Sequence, residues 1–209
     1  MKKRLKHCRK PHGKLGKEVL EDMNDHHSEL TTWGLKHLSI CSNYKILDVG
    51  CGGGYTISQL ALKIEDGTVY GIDYSDLSVK YSKEFCKELR KNNKVHIKKA
   101  SVSNLPFQDN KFDFVTAVET FYFWPDKVND LKEILRVLKP NGTLALINEM
   151  YISKEKREYE ERNQKWAEAG EFEIYTVEQM MKFLEKAGYK DIRVFEENHH
   201  GWITILGKK

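Results

Sequence analysis

The sequence predicts an α/β fold built on a mostly parallel, doubly wound sheet. Short apolar runs alternate with helical patterns from about residue 44 onward, and a glycine turn follows the first apolar run directly. Alternation of this kind is typical of βαβ units with right-handed crossovers and helices on both faces of the sheet. With 209 residues, of which 40% are hydrophobic and 32% charged, the chain can bury one core of that size.

The elements follow from apolar runs and helical spacing. Strands are predicted at 45–49, 67–72, 95–99, 112–119 and 143–148, and helices at 56–63, 76–90, 126–138, 154–169 and 176–186. Asp126 and Thr176 stand where helices begin, and Gly188 stands where the last one ends. Two further strands, 192–196 and 202–206, are joined by a link too short for a crossover, so we expect them to pair antiparallel.

The glycine turn is the first candidate binding feature. Residues 46–55 read ILDVGCGGGY, and glycines let a ligand approach the backbone without meeting a Cβ atom. Asp73 ends the second strand, 23 residues beyond Gly50, where an acid commonly accepts hydrogen bonds from ribose hydroxyls. Because ligands bind at the carboxyl ends of parallel strands, the pattern predicts a nucleoside site there.

The turn favours one kind of nucleoside. A dinucleotide fingerprint needs a third glycine or alanine where this chain has the bulky Tyr55. Asp48, two residues before Gly50, would repel a pyrophosphate but can pair with an ammonium group. A ligand with a ribose and a cationic amino-acid end, such as S-adenosylmethionine, therefore fits better than NAD.

Four segments resemble motifs of one enzyme family. ILDVGCGGGYTISQLA resembles motif I of the class I S-adenosylmethionine-dependent methyltransferases, and VYGIDYS resembles their second motif. NLPFQDNKFDFVTAVETFYFWPD and LKPNGTLALINE resemble the stretches around their fourth and fifth strands. The resemblance covers about residues 40 to 150 and is closest to the ubiquinone/menaquinone-biosynthesis type. It implies a Rossmann-like, seven-stranded, mostly parallel sheet with an antiparallel last strand.

The resemblance also implies a set of cofactor-binding residues. The glycines of the turn would line the methionine and ribose portion, Asp48 would face the amino group, and Glu119 would lie near the amino-acid end or the sulfonium. Asp73 would bind the ribose and Tyr74 the adenine. Ser101 stands where many relatives have an aspartate. Together with Asn24, which the N-terminal segment would turn toward the ligand, the predicted set is Asp48, Gly50, Cys51, Gly52, Gly54, Asp73, Tyr74, Ser101, Val102 and Glu119.

Two residues are candidates for the chemistry. His27, in MNDHHSELTTWG, is a candidate general base near neutral pH, and a surface histidine pair without a role is the alternative. Tyr122 lies in the aromatic stretch 119–125, which would form a wall for the acceptor or pack under the next helix. The sequence shows no Cys/His nucleophile constellation and no metal-ligand cluster, so no metal is predicted.

Residues 1–42 are predicted to be a basic tail and a helical lid, and residues 43–209 to be the methyltransferase domain. Residues 1–17 hold eight lysines and arginines and no acid, which indicates a solvated tail or, alternatively, a phosphate-binding arm. Within 18–38 a polar cluster at 24–28 interrupts the apolar positions. A lid would turn Asn24 and a histidine toward the ligand, whereas a helix on the outer face of the sheet would expose them.

The favoured function is methyl transfer to a small-molecule acceptor. The alternatives are an RNA or protein methyltransferase that uses the basic arm and a non-catalytic cofactor-binding regulator. Nucleic acid is disfavoured because no NPPY-like tetrapeptide follows the fourth strand. No apolar run reaches membrane-span length, no signal-peptide core is visible, and the four cysteines form no CxxC pair, so a cytoplasmic location is expected. The acceptor atom and the oligomeric state stay open.

Overall fold

The computed structural model describes residues 2–153, 157–197 and 199–209. The strands are β1 (Lys45–Val49), β2 (Thr68–Asp73), β3 (Val95–Lys99), β4 (Phe112–Val118), β5 (Leu138–Asn148), β6 (Lys190–Glu197) and β7 (Trp202–Lys208). The helices are α1 (Lys2–Arg9), α2 (Gly13–His26), α3 (Ser28–Leu35), α4 (Tyr55–Leu62), α5 (Asp76–Phe85), α6 (Lys87–Lys91), α7 (Lys127–Val137), α8 (Arg157–Gly170) and α9 (Val177–Ala187). A 3₁₀ turn, Phe121–Phe123, follows β4.

The described strands form one seven-stranded sheet in the order β3-β2-β1-β4-β5-β7-β6. Strands β1 to β5 run parallel, β7 pairs antiparallel with β5, and β6 pairs antiparallel with β7. The predicted fold class, with its parallel sheet and terminal antiparallel hairpin, is therefore confirmed. The strand order reverses between β1 and β4, and such switch points are where open α/β sheets bind ligands.

Helices cover both faces of the sheet. Ile46 and Leu47 are consecutive in β1, so their side chains point to opposite faces of the sheet. Both are fully buried, because helices cover both faces. Leu47 belongs to the core that includes α7 and α9, whereas Ile46 belongs to the core that includes α3, α4 and α5. A central strand buried on both sides explains why KILDV reads as a continuous apolar run around one acid.

The sequence signals for helix ends agree with the structure. The Asp126 side chain accepts a hydrogen bond from the Asn129 amide and caps α7. Thr176 and Gln179 form a reciprocal capping box at the start of α9. Gly188 ends α9 with a φ of 104°, a left-handed conformation that favours glycine.

Several predicted elements differ in extent. The helix predicted over 76–90 breaks at Cys86 into α5 and α6, where the buried Cys86 thiol lies 3.5 Å from the Gly54 carbonyl oxygen. Strand β5 begins at Leu138, because that residue pairs with Phe112 of β4. Residues 154–156 of the predicted helix 154–169 lie outside the described residues.

The basic N-terminal segment is folded against the domain and is not a free tail, although its described lysine and arginine side chains are exposed to solvent. Residues 2–9 form α1, and His7 and Pro11 are buried. The Ser75 hydroxyl donates to the Pro11 carbonyl at 2.9 Å, and the Tyr74 hydroxyl donates to the Arg9 carbonyl. Both acceptors lie beside the carboxyl end of β2, so the segment folds onto the predicted site. In the part of the chain described, no helix is long and apolar enough to cross a membrane.

Candidate active site

The glycine turn is tied to the end of β2. The amides of Gly50 and Cys51 donate to the Ile72 carbonyl at 2.8 and 2.9 Å. Gly50 has a φ of 74°, and a Cβ atom there would lie 2.4 Å from Thr120 Cγ2. The position therefore requires glycine both for its backbone conformation and for the close approach of Thr120.

Asp73 links the turn to the next helix. Its carboxylate accepts the Gly52 amide at 3.0 Å and the Ser75 amide at 2.8 Å. Burial raises the pKa of Asp73, and these backbone hydrogen bonds oppose that shift. The carboxylate is thus fixed at the edge of the turn, where it can accept further hydrogen bonds from a ligand.

A cavity of about 160 Å³, here called the turn cavity, opens above these residues. The structure brings eight of the sequence-predicted residues to its wall. They are His27, Gly50, Gly52, Asp73, Tyr74, Ser101, Val102 and Glu119. The wall also contains residues that sequence reasoning did not assign to the site, among them Cys8, Arg9 and Pro11 from the N-terminal segment. The turn at residues 10–13, which contains Pro11 and Gly13, was the available signal that this segment folds back.

Three other predicted residues lie behind the turn instead of on the cavity wall. Asp48 is 2% exposed and accepts the Thr116 hydroxyl at 2.8 Å, and burial raises its pKa to about 7. The Cys51 thiol packs 3.9 Å from Ser82 Oγ, and burial raises its pKa. Gly54 has a φ of 90° and stands at the start of α4. These three residues shape the turn from beneath.

Asn24 contacts the turn from above. Its amide Nδ2 donates to the Gly53 carbonyl at 3.2 Å, so α2 is joined directly to the glycine turn. The chain then breaks at His27, which separates α2 from α3 with a φ of −89° and a ψ of 5°. The polar cluster at 24–28 therefore marks a bend between two helices.

A second cavity of about 400 Å³, here called the outer cavity, adjoins the first. Residues that line both cavities are Cys8, Met23, His27, Glu119 and Phe123. Much of the outer wall is apolar, with Val19, Met150, Trp166 and Phe172 among its members. Polar groups on the same wall include Arg4 and Asp22, which form an ion pair.

Glu119 stands between the two cavities in an unusual backbone conformation. It follows β4 with a φ of 53°, which costs a residue other than glycine about 1 kcal/mol. Its carboxylate accepts the Glu149 amide at 2.7 Å and the Tyr122 hydroxyl at 2.8 Å. Burial, together with repulsion from the Glu149 carboxylate, raises the pKa of Glu119 to about 8. Backbone strain held in place by hydrogen bonds is characteristic of functional positions.

The two candidate catalytic side chains differ in their surroundings. The Tyr122 hydroxyl is buried and donates to Glu119, and its ring stacks on Phe172 at 4.8 Å. Burial raises the pKa of Tyr122 far above its usual value, so it stays a hydroxyl donor. His27 faces both cavities, and burial lowers its pKa to about 4, which leaves a neutral imidazole at pH 7.

Comparisons with known proteins decide the family. The model of a methyltransferase domain matches residues 40–188. Demethylmenaquinone methyltransferase from Staphylococcus aureus is 31% identical, over 77% of this chain and 73% of its own. The chain is a class I S-adenosylmethionine-dependent methyltransferase. It is of the quinone-biosynthesis type, as the motifs indicated.

Solved structures agree with the fold of this methyltransferase. A chain of the complex between the Haloferax volcanii Trm112 methyltransferase activator and a methyltransferase superposes with a TM-score of 0.78 at 19% identity, covering 90% of this chain and 92% of that one. A methyltransferase from Aquifex aeolicus gives a TM-score of 0.74 at 24% identity, covering 91% and 97%. The methyltransferase uses S-adenosylmethionine as its cofactor, which confirms that prediction.

Proposed function

We propose that this methyltransferase transfers the methyl group of S-adenosylmethionine to a small molecule bound in the outer cavity. The observation that carries the proposal is the wall shared by the two cavities. A cofactor in the turn cavity and an acceptor in the outer cavity would meet at Met23, His27 and Glu119. An in-line displacement needs that arrangement, because the acceptor atom must approach the methyl carbon opposite the sulfur.

The cofactor is assigned by the groups on the wall of the turn cavity. The Asp73 carboxylate would accept the ribose hydroxyls, and Tyr74, Ser101 and Val102 would surround the adenine. Glu119 would lie beside the amino-acid end, and the glycines at 50 and 52 would admit the methionine portion against the backbone. Asp48, Cys51 and Gly54 would act from beneath, by holding the turn in its conformation.

Residues 1–42 would act as a lid on this site. Cys8, Arg9 and Pro11 line the turn cavity, and Asn24 holds α2 against Gly53. Closure of such a segment excludes water from a sulfonium centre and completes the acceptor pocket. The backbone carbonyls of Arg9 and Pro11 are bound by Tyr74 and Ser75, so this part of the segment is held on the protein itself, which argues against a free nucleic-acid arm.

His27 would accept the acceptor's proton. Its imidazole faces the junction of the cavities and is neutral at pH 7, so it is free to accept a proton, and its pKa of about 4 makes it a weak base. Tyr122 would hold the Glu119 carboxylate and form part of the acceptor wall with Phe172.

The size and the wall of the outer cavity favour a small acceptor. Its volume of about 400 Å³ and partly apolar wall are typical of small-molecule sites. A relative whose name is demethylmenaquinone methyltransferase supports the same class of acceptor. A non-catalytic regulator would need the turn cavity but not the outer cavity beside it.

Mass spectrometry with methyl-deuterated S-adenosylmethionine tests the proposal. The full-length protein is incubated with separate panels of small thiols, quinols and amines, with total RNA, and with a protein lysate. We expect a labelled small-molecule product that Asp73→Ala abolishes and the exposed change Asp76→Ala does not. Label transferred only to RNA or protein, or cofactor binding without transfer to any panel, would overturn it.

A further inference from the structure

The outer cavity carries a cluster that methyl transfer by itself does not require. We propose that His26, His27 and Glu149 bind a divalent transition-metal ion, of which Zn²⁺ is the representative, on the wall of this cavity. One ligand atom from each residue lies within 4.8 Å of the other two. Small side-chain rotations would bring such a set onto one ion, whose bonds to nitrogen and oxygen are about 2.0 to 2.2 Å long.

The break between α2 and α3 lets the two histidines face the same carboxylate. Consecutive residues of a continuous helix point about 100° apart and do not face one partner. Here α2 ends at His26 and α3 begins at Ser28, so the chain bends at His27. As a result, Nε2 of His26 lies 3.2 Å and Nε2 of His27 lies 4.0 Å from the same Glu149 oxygen, Oε1.

Glu149 is held in place for this role. It directly follows β5, its amide donates to Glu119 at 2.7 Å, and its carbonyl accepts Asn163 Nδ2 at 2.8 Å. Its side chain is only 15% exposed. The ion pairs of Glu149 found among the described residues are with the two histidines and not with a lysine or arginine. Among the residues that the structure describes, no lysine or arginine is therefore within ion-pair distance of this carboxylate to compete with a metal.

The donor set fits a borderline transition metal. Two imidazoles and one carboxylate are the ligands of many Zn²⁺ and Fe²⁺ sites that keep a position open for a further ligand. All three residues line the outer cavity, so the open position would face its interior. An acceptor bound there through oxygen, nitrogen or sulfur would have the pKa of its proton lowered by the ion.

The metal site changes the role assigned to His27. A metal-bound Nε2 cannot also take a proton, so with the ion present His27 would hold the metal, the metal would lower the pKa of the acceptor, and the acceptor's proton would leave to solvent water. Only this last step rests on the proposed function. Binding of the ion is a property of the three side chains and can be measured without any acceptor.

Calorimetric titration of the chelator-treated, full-length protein with Zn²⁺ tests the site, and Co²⁺ absorption reports its nitrogen and oxygen ligands. We expect one ion per chain. His26→Ala and Glu149→Gln should each weaken Zn²⁺ binding at least about tenfold. His200→Ala is the matched control, because His200 also pairs with a carboxylate, Glu197, at 3.0 Å. Because His26 is exposed, we expect its variant to fold as the wild type does, and melting temperatures verify this.

Unchanged Zn²⁺ affinity in His26→Ala, or an equal loss in His200→Ala, would overturn the metal site. Methyl transfer by a protein that does not bind Zn²⁺ would leave the proposed function standing and remove the metal. Specific Zn²⁺ binding without methyl transfer to any small molecule would leave the metal site standing and overturn the proposed function. The two proposals therefore fail in separate experiments.

Discussion

The Asn24 side chain donates a hydrogen bond to the Gly53 carbonyl across 29 positions of sequence. A Cβ atom on Gly53 would lie 2.2 Å from Asn24 Oδ1, so the missing side chain of Gly53 makes room for Asn24. One contact therefore joins the N-terminal helices to the glycine turn, and it connects the lid directly to the backbone that would hold the cofactor.

Asn24→Ala should loosen this connection. Loss of one hydrogen bond should lower the free energy of unfolding by about 1 kcal/mol. Proteolysis near residues 24–28 should become faster, and S-adenosylmethionine should protect the variant less than the wild-type protein. The exposed neighbour Asp25, changed to alanine, is the control. Equal protection of Asn24→Ala and wild type would show that Asn24 does not connect the lid to cofactor binding.

Asp73→Ala should weaken binding of S-adenosylmethionine about 5- to 150-fold, the equivalent of 1 to 3 kcal/mol for hydrogen bonds to a charged acceptor. Asp73→Asn should lose less, since one acceptor oxygen remains. Calorimetry gives the affinities, and melting temperatures separate binding from stability because Asp73 also holds the Gly52 and Ser75 amides.

Asp76→Ala provides the comparison for Asp73. Asp76 is exposed and pairs with Lys99 at 2.7 Å, so its removal changes the charge near the turn without touching the cavity. Its cofactor affinity should stay close to that of the wild type. An Asp73→Ala variant with unchanged affinity would exclude this carboxylate from the site.

The fold was predictable from the sequence because its signals are local. Periodic apolar runs, the cap at Thr176 and Gly188 each depend on a few neighbouring residues, and the structure agrees with them. The resemblance to known motifs supplied the family and cofactor. The helix break at Cys86 was not predicted, and the contact that the Cys86 thiol makes there, with the Gly54 carbonyl, joins residues 32 positions apart.

Part of the site was also predictable, because some of its signals are local in the sequence. The turn directly follows β1 and Asp73 ends the adjacent strand β2, so their spacing in the sequence reveals both. The N-terminal wall was missed because its lysines and arginines read as a solvated segment, whereas contacts from Tyr74 and Ser75 fold it onto the cavity. The meeting of His26 and His27 with Glu149 was also missed, because more than 120 positions separate them in the chain. Leu20 and Leu30 are buried, so deletion of residues 1–32 would damage the core, and point variants are the better test of the lid.

Asp48→Asn should change how stability depends on pH. Burial raises the pKa of Asp48 to about 7 in the folded chain, from about 3.8 when exposed. Between these values the native state binds more protons than the unfolded state, so this group makes stability fall as the pH rises from 4 to 7. The variant removes that contribution, up to about 1.4 kcal/mol per pH unit. Urea unfolding at pH 5 and pH 7 measures the difference.

The exposed change Asp66→Asn is the control for Asp48, since both replace an aspartate by asparagine. The asparagine oxygen at position 48 can still accept the Thr116 hydroxyl, so the change isolates the ionisation from the hydrogen bond. A stability difference between pH 5 and pH 7 that is identical in wild type and Asp48→Asn would contradict the raised pKa.

Gly50→Ala should damage the site more than Gly13→Ala does, although both glycines have positive φ. Alanine in a left-handed conformation costs about 1 kcal/mol at either position. At Gly13 a Cβ atom meets nothing within 4 Å, whereas at Gly50 it would lie 2.4 Å from Thr120 Cγ2. Only Gly50→Ala must therefore move the turn or Thr120, and only it should lose S-adenosylmethionine binding by tenfold or more. Calorimetry on both variants decides this: equal affinities would show that the turn tolerates a side chain and that its fit against Thr120 does not set cofactor binding.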